Sequence, residues 1–384
     1  MGEKNVRVAW LFPSLELGNY WHPVLSEFAK TYPETTVFTG VWPGYSAGFE
    51  NAFAVKVVGE MTFVDTVKSE TGYSKGFINA SPAIAGELLR YKPDVIFTSG
   101  FCIWTIFALL LKLLGGWRVV VVYDGSSPGV DYRDSKIRTF LRHLLSRWAD
   151  GFITNSQPGK DYLTQYLGVK QSQIFVRPYQ VPDVAALLQQ EASAPINLDA
   201  VQRPVFLFTG QVISRKGLDR LLVACKQLRD RGYHHYTLLV AGEGAQREEL
   251  QAFCNTHGLE DNVQWLGWVN YGQLGAYFRC ADVFILPALE DVWGMVILEA
   301  MAFGKPILCS KWAGAAELIA EGENGFVFDP YQADAIAEVL MRLIDHPEQW
   351  APMGQRSQEI MAQHTPINAA QFLTKVTDTV VGVV

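Results

Sequence analysis

Short apolar runs of strand length recur along this chain with helical patterns between them, and they do so in two separate series. In the first half, β-rich runs fall at 6–12, 36–39, 94–98, 118–123, 151–154 and 174–176, with helical spacing at 82–91, 102–114 and 136–148. In the second half, runs at 206–208, 236–240, 263–266, 283–286 and 306–309 alternate with helices that open at Leu218 and Gln246. Alternation of this kind feeds strands into a parallel sheet covered by helices on both faces. The chain is therefore expected to be α/β, with two doubly wound, Rossmann-like domains. Its 384 residues are too many for one ordinary core. The segment Arg177-Pro178-Tyr179-Gln180-Val181-Pro182-Asp183 and the Gln/Ala/Ser-rich stretch up to Pro204 read as a connector. That gives domains at 1–183 and 184–365, and the helical pattern in 366–384 is expected to pack back on the first. No repeat period appears, so the halves share rhythm rather than sequence.

An apolar fraction of 49% with 18% charged residues is that of a globular protein throughout. The net charge of −7 argues against a nucleic-acid partner. Cys102, Cys225, Cys254, Cys280 and Cys309 are odd in number, widely spaced and mostly inside apolar runs, as reduced thiols of a cytoplasmic protein would be. No Cys/His spacing suggests zinc. The first residues lack the apolar core of a signal peptide, and Val6 stands where a myristoylation motif needs Ser or Thr. The run 95–111 is broken by Thr98, Ser99 and Gly100, so it reads as strand, loop and buried helix rather than a membrane span.

The stretch 287–306 carries the chemistry. It leaves the strand at 283–286, turns through Gly294 and enters a helix that ends at Gly304-Lys305-Pro306. Ligands of parallel sheets sit outside the carboxyl ends of the strands, where free helix N–H groups attract anions. Asp291 precedes this helix and Glu299 lies inside it, roughly 10 Å apart along the path at a rise of about 1.5 Å per residue. An elongated ligand with a phosphate in its middle and hydroxyls at both ends suits that spacing; the plainer reading is a helix capped by Asp291 with Glu299 in solvent. In the predicted sheet the Arg215-Lys216 pair before Gly217 opens on the same edge, where two cations and a helix end can converge on a pyrophosphate. Gly242-Glu243-Gly244 lies between strand and helix, but Arg247 occupies the third glycine position of a dinucleotide fingerprint and no acid ends the next strand, so a redox cofactor is not expected. That turn either packs under a nucleotide or is only a tight turn.

Together these pieces resemble the retaining glycosyltransferases of family four. The likeness spans nearly the whole chain and is strongest over 205–328. The family's Glu-x7-Glu mark appears as Asp291-Val-Trp-Gly-Met-Val-Ile-Leu-Glu299, with Glu290 beside its first acid. Gly314-Ala-Ala-Glu317, Gly322-Glu-Asn-Gly325, Trp265-Leu-Gly267-Trp268 and Asn155-Ser156 also fit it. The resemblance implies a GT-B fold whose two domains face each other across a cleft and close to exclude water. The C-terminal domain would bind a nucleoside diphosphate sugar, with a UDP-hexose as the first expectation, and the N-terminal domain would receive the acceptor. Glu299 would hold the ribose hydroxyls and Asp291 those of the donor sugar. Gly294, Met295 and Val296 would meet phosphate or sugar through their N–H groups, Lys216 and Arg215 would neutralise the pyrophosphate, and Gly18 would let backbone close over the donor. Gln211, Gly242 and Trp268 complete the donor set. Two positions depart from the family: Gln211 replaces a frequent Arg, and Asp124 stands where a donor-contacting His often precedes Gly125. No Asp-x-Asp motif occurs, so no metal and no cofactor are expected.

Tyr20, Trp21 and Phe101, with Trp104, are the acceptor candidates, since aromatic rings stack on sugars or line lipid grooves. A glycan, a lipid or a small molecule would each fit. The 136–148 segment places Ile137, Phe140, Leu141, Leu144, Leu145 and Trp148 at helical spacing among Lys136, Arg138, Arg142 and Arg147. It reads as an apolar stripe on the sheet with a basic face in water, or as a helix drawn to an anionic membrane. The rival functions are a sugar-nucleotide epimerase and a non-catalytic binder on the same fold. An epimerase needs an acid/base pair, for which only His22 lies near the right loop, and His22 reads equally as a packed residue.

Overall fold

The structure, a computed structural model, describes residues 4–15, 20–68, 74–189 and 201–382. The chain forms two compact units. One comprises Met1–Lys68, Ser74–Val181 and His364–Val384, and Pro182–Gln363 forms the body of the other.

In the first unit, β1 (Val8–Leu11), β2 (Thr35–Thr39), β3 (Ala54–Val57), β6 (Val95–Ser99), β7 (Arg118–Val122), β8 (Gly151–Thr154) and β9 (Ile174–Val176) form one parallel sheet, in the order β3-β2-β1-β6-β7-β8-β9. Its central strands are almost wholly buried, which is why runs such as Val119 to Val122 are uninterrupted β-branched residues. The antiparallel hairpin of β4 (Met61–Lys68) and β5 (Ser74–Ala80) stands outside this sheet. The helix Pro366–Val381, capped by the Thr365 hydroxyl, packs on the helix Trp21–Ala29. Asp378 ties it down, accepting from Lys4 Nζ at 2.6 Å and from the Tyr32 hydroxyl at 2.6 Å.

The second unit has β10 (Val205–Thr209), β11 (Thr237–Ala241), β12 (Val263–Gly267), β13 (Val283–Leu286), β14 (Ile307–Ser310) and β15 (Gly325–Phe328), all parallel, in the order β12-β11-β10-β13-β14-β15. This is the 3-2-1-4-5-6 order of a dinucleotide-type sheet. Its core is built from Phe206, Phe208, Leu221, Leu238, Ile285 and their neighbours, all buried. The order reverses between β10 and β13 here and between β1 and β6 in the first unit. A topological switch point of this kind opens a crevice at the carboxyl ends of the two strands that flank it.

One element differs from its expected packing. The helix Lys136–Ser146 exists, but of its apolar stripe only Leu145 packs against the core: Ile137 is 75% and Phe140 66% exposed, and Leu141, Leu144 and Trp148 are exposed as well. The buried core of this unit is filled by Trp104, Leu109, Tyr162 and Leu163. Among the described residues no helix is long and apolar enough to cross a membrane.

Candidate functional site

The loops that leave β10 and β13 flank the switch point of the second sheet and are locked together. Gly217, at φ +68°, closes the β10 loop so tightly that a Cβ there would stand 2.0 Å from the carbonyl oxygen of Pro287. The Arg215 carbonyl accepts from the Leu289 N–H at 2.8 Å and from the Glu290 N–H at 3.2 Å. This closure brings Lys216 Nζ to 2.5 Å from Asp291 Oδ2, with side chains only 13% and 11% exposed. Behind them, Gly242 lies where a Cβ would meet the Gly210 carbonyl oxygen at 1.8 Å, and its N–H donates to Gly267. The ends of β10, β11 and β12 are thus stacked backbone on backbone.

Asp291 does not cap the following helix. Its backbone N–H donates to Trp312 and its carbonyl accepts from Gly314, while Gly294, at φ +91°, starts the helix Met295–Ala302. The first-turn N–H groups of a helix have no acceptor within it, which leaves this end with the positive potential an anion needs. Glu299, one turn on, is buried, which sets aside the plainer reading of a solvated acid. It hydrogen-bonds the Tyr271 hydroxyl, whose pKa is raised by burial and by the Glu299 charge. Trp268, 77% exposed, and Gln211, also exposed, leave side chains free to meet a ligand. The structure therefore gathers Arg215, Lys216, Asp291 and Gly294 around one switch point. Tyr271, which no motif singled out, joins Glu299.

The first unit holds the remaining candidates. Asp124, after β7, accepts from the Tyr179 hydroxyl at 3.0 Å, and its carbonyl accepts from Asn155 Nδ2 at 2.9 Å. Asn155 is fully buried, and its Oδ1 takes the N–H groups of Tyr179 and Gln180. Buried Asp131 fastens the same loop through Ser126 at 2.6 Å, Arg133 at 2.6 Å and the Tyr123 hydroxyl. Tyr179 and Asp131 were not legible as site residues, because their partners lie in other segments. Phe101 is half-buried and follows β6 at the switch point. Tyr20 is also half-buried, next to the helix Trp21–Ala29, and Gly18 lies outside the described residues. Trp21 is a correction: it is 8% exposed, with its ring among those of Trp10, Phe12 and Tyr179, so its faces are taken by protein and not by an acceptor. Trp104 is likewise buried, its indole N–H donating to the Ser81 carbonyl. His22 is packed too. Its Nδ1 accepts from the Ser46 N–H at 2.9 Å, and burial lowers its pKa.

Burial raises the Asp124 carboxyl from 3.8 to about 6, opposed by hydrogen bonds from Tyr179 and Gln180. A folded pKa above the unfolded one means that this group's contribution to stability is full below about pH 4 and is lost as pH rises through 6. Asp124→Asn should then stabilise the protein by about 1–2 kcal/mol at neutral pH, after allowing for the carboxyl's partial exposure. The gain should fade toward pH 4. Urea midpoints at the two pH values check this, and a gain that is equal at both would rule the titration out.

Two Rossmann-type sheets, each with its candidate residues beside a switch point, define the GT-B class. The crystal structure of Anabaena HepE in complex with UDP has this fold, with a TM-score of 0.74, 19% identity, and coverage of 97% of this chain and 100% of that one. Residues 20–181 match the family model described as Glycosyltransferase Family 4, and residues 189–360 match that described as Glycosyl transferases group 1. The chain belongs to this glycosyltransferase family. Among curated relatives, alpha-D-kanosaminyltransferase of Streptomyces kanamyceticus is 27% identical over 168 residues, 44% of this chain and 43% of that protein. A GDP-mannose-dependent alpha-(1-6)-phosphatidylinositol monomannoside mannosyltransferase of Mycolicibacterium smegmatis is 31% identical over 180 residues, 45% and 46% of the two chains. The matched stretch thus spans less than half the length of each of these relatives.

Proposed function

We propose that this protein is a retaining glycosyltransferase that moves a hexose from a nucleoside diphosphate sugar, a UDP-sugar first among them, to a hydroxyl of a glycan, lipid or small-molecule acceptor. The observation that carries this reading is the Lys216–Asp291 pair beside the Gly294 helix start, with buried Glu299 one turn on. A diphosphate gathers negative charge as its bond to the sugar breaks, and Lys216, Arg215 and the helix N–H groups are the charges placed to receive it. They make a metal unnecessary for that step. Asp291, released from Lys216 when the diphosphate takes its place, becomes an acceptor for donor-sugar hydroxyls. Retention follows if the acceptor hydroxyl attacks on the face the diphosphate leaves, with no protein nucleophile. The UDP in the HepE complex favours uridine, and the GDP-mannose dependence named for the mycobacterial relative makes guanosine the rival base.

Incubation with UDP- and GDP-sugars, with and without acceptor extracts, tests the reading. Acceptor-dependent release of nucleoside diphosphate is expected; isomerised donor without release would overturn it in favour of an epimerase. Glu299→Gln should weaken nucleoside diphosphate binding by about 1–3 kcal/mol if Glu299 holds the ribose. An unchanged Kd by calorimetry would remove that role.

A further inference from the structure

Trp312 and Tyr331 stand exposed on the second unit, at 44% and 58%, with ring centroids 6.5 Å apart and planes at 78°. Both lie at the carboxyl edge of its sheet: Trp312 comes two residues after β14 and Tyr331 three residues after β15. Asp329 joins them. Its carboxylate accepts from Lys311 Nζ at 2.7 Å and from the Tyr331 N–H at 3.1 Å, and Lys311 in turn lies over the Trp312 ring, 5.1 Å from the centroid. Lys311 first, then the Tyr331 N–H and the Trp312 side chain, hold this carboxyl below its ordinary value. An exposed ion pair adds little to stability, so its consequence here is where it puts the rings.

The backbone beneath is tied to the candidate site. The Trp312 N–H donates to the hydroxyl of buried Ser310 at 3.1 Å, and the Trp312 carbonyl accepts from the Asp291 N–H at 3.1 Å. The Gly314 N–H returns a bond to the Asp291 carbonyl, also at 3.1 Å. The loop that carries Trp312 is therefore held against the residue assigned to the donor sugar.

The order of the sheet says what can reach this place. Trp268 follows β12, whereas Lys216 and the Gly294 helix start follow β10 and β13. A nucleotide sugar laid base first along that edge runs from β12 toward β13, and the loops after β14 and β15 come next, each one strand spacing of about 4.8 Å further on. Whatever receives the sugar lies in that direction. An aromatic pair flanked by an ammonium and a carboxylate suits a pyranose, whose C–H face stacks on the ring while its hydroxyls meet the polar groups at the rim. A hydrocarbon chain would instead press Lys311 and Asp329 against apolar surface.

We propose that Trp312 and Tyr331, positioned by Lys311 and Asp329, form an acceptor subsite on the second unit that stacks a sugar of a glycan acceptor next to the one being glycosylated. The proposal rests on the transferase reading for the direction of the donor, and it narrows the acceptor to a glycan of at least two sugars.

Saturation-transfer difference NMR in the presence of UDP tests it without turnover, with methyl glycosides, disaccharides and trisaccharides of glucose, galactose and mannose as probes. Saturation should concentrate on one C–H face of one residue, and a disaccharide or trisaccharide should bind at least about fivefold tighter than its methyl glycoside. Trp312→Ala should erase that gain and Trp312→Phe should keep most of it, with melting temperature and UDP affinity by calorimetry as in the wild type. Equal disaccharide affinity in Trp312→Ala would overturn the subsite, as would no binding of any probe by the wild-type protein. A fall in UDP affinity in Trp312→Ala would assign the ring to the donor and overturn the acceptor role. Failure of the transferase reading has a different signature, since wild-type protein would then release no nucleoside diphosphate with any acceptor, whatever Trp312 does for glycan binding.

Discussion

Lys216→Ala should lower kcat/KM for transfer by about 100- to 1,000-fold, the loss typical when one preorganised charge or donor facing a developing anion is removed. The side chain is well placed for that role because the Gly217 turn fixes its backbone and Asp291 holds its ammonium at 2.5 Å. The same pairing complicates the experiment. Removing one member of a buried ion pair leaves the other uncompensated, at a cost of about 3–5 kcal/mol when burial is complete. With side chains still 11–13% exposed, the lower end of that range is expected. The double variant Lys216→Ala with Asp291→Ala separates the effects. It removes the stranded carboxylate and should regain most of the stability, yet its rate should stay at least as low as that of Lys216→Ala. A rate that recovers with stability would show that Lys216 serves the fold and not the leaving group. Asp291→Asn offers a third reading: it frees Lys216 for phosphate, so nucleoside diphosphate binding should hold or tighten while turnover falls. Steady-state kinetics with calorimetry on the same preparations check all three.

The parts of this molecule that could be read from sequence are those in which local pattern and burial coincide. In the second sheet β10, β11, β13 and β14 are buried on both faces, and the apolar runs read for them end within a residue of the observed strands, whereas β15 was not read as a strand. β3 and the β4–β5 hairpin escaped the reading because they are largely exposed there: Val57, Phe63 and Phe77 carry no partner face that would enforce a clean alternation. For the helix Lys136–Ser146 the spacing was legible but its direction was not, because periodicity finds a stripe without saying what covers it. The Asp291 to Glu299 interval stood out as a motif, yet the pairing of Asp291 with a lysine 75 residues earlier depends on the order of β10 and β13 in the sheet. The Asp124–Tyr179 bond spans 55 residues and has the same origin. Buried Glu299 ran against the usual habit of glutamate, and its partner Tyr271 shows why a carboxylate can be kept there.

The strongest structural test of the site is Gly217→Ala. Two separate penalties meet at this residue. An alanine at φ +68° carries left-handed strain of about 1–2 kcal/mol, and its Cβ would stand 2.0 Å from the Pro287 carbonyl oxygen, a backbone atom that cannot swing aside. The strand-to-helix loop must therefore lift off the β13 loop, breaking the hydrogen bonds from Leu289 and Glu290 to Arg215 and pulling Lys216 from Asp291. A total loss of about 3–4 kcal/mol is expected, near the upper end of single substitutions. Gly232→Ala is the control: its φ is +88° and a Cβ there meets nothing within 4 Å, so it carries the strain without the clash. Urea unfolding of the two variants should differ by about 2 kcal/mol or more. At temperatures where both are folded, Gly217→Ala alone should weaken nucleoside diphosphate binding. If the two variants are equally destabilised, or if Gly217→Ala binds nucleotide as the wild type does, then the contact with Pro287 does not set the geometry of the Lys216–Asp291 pair.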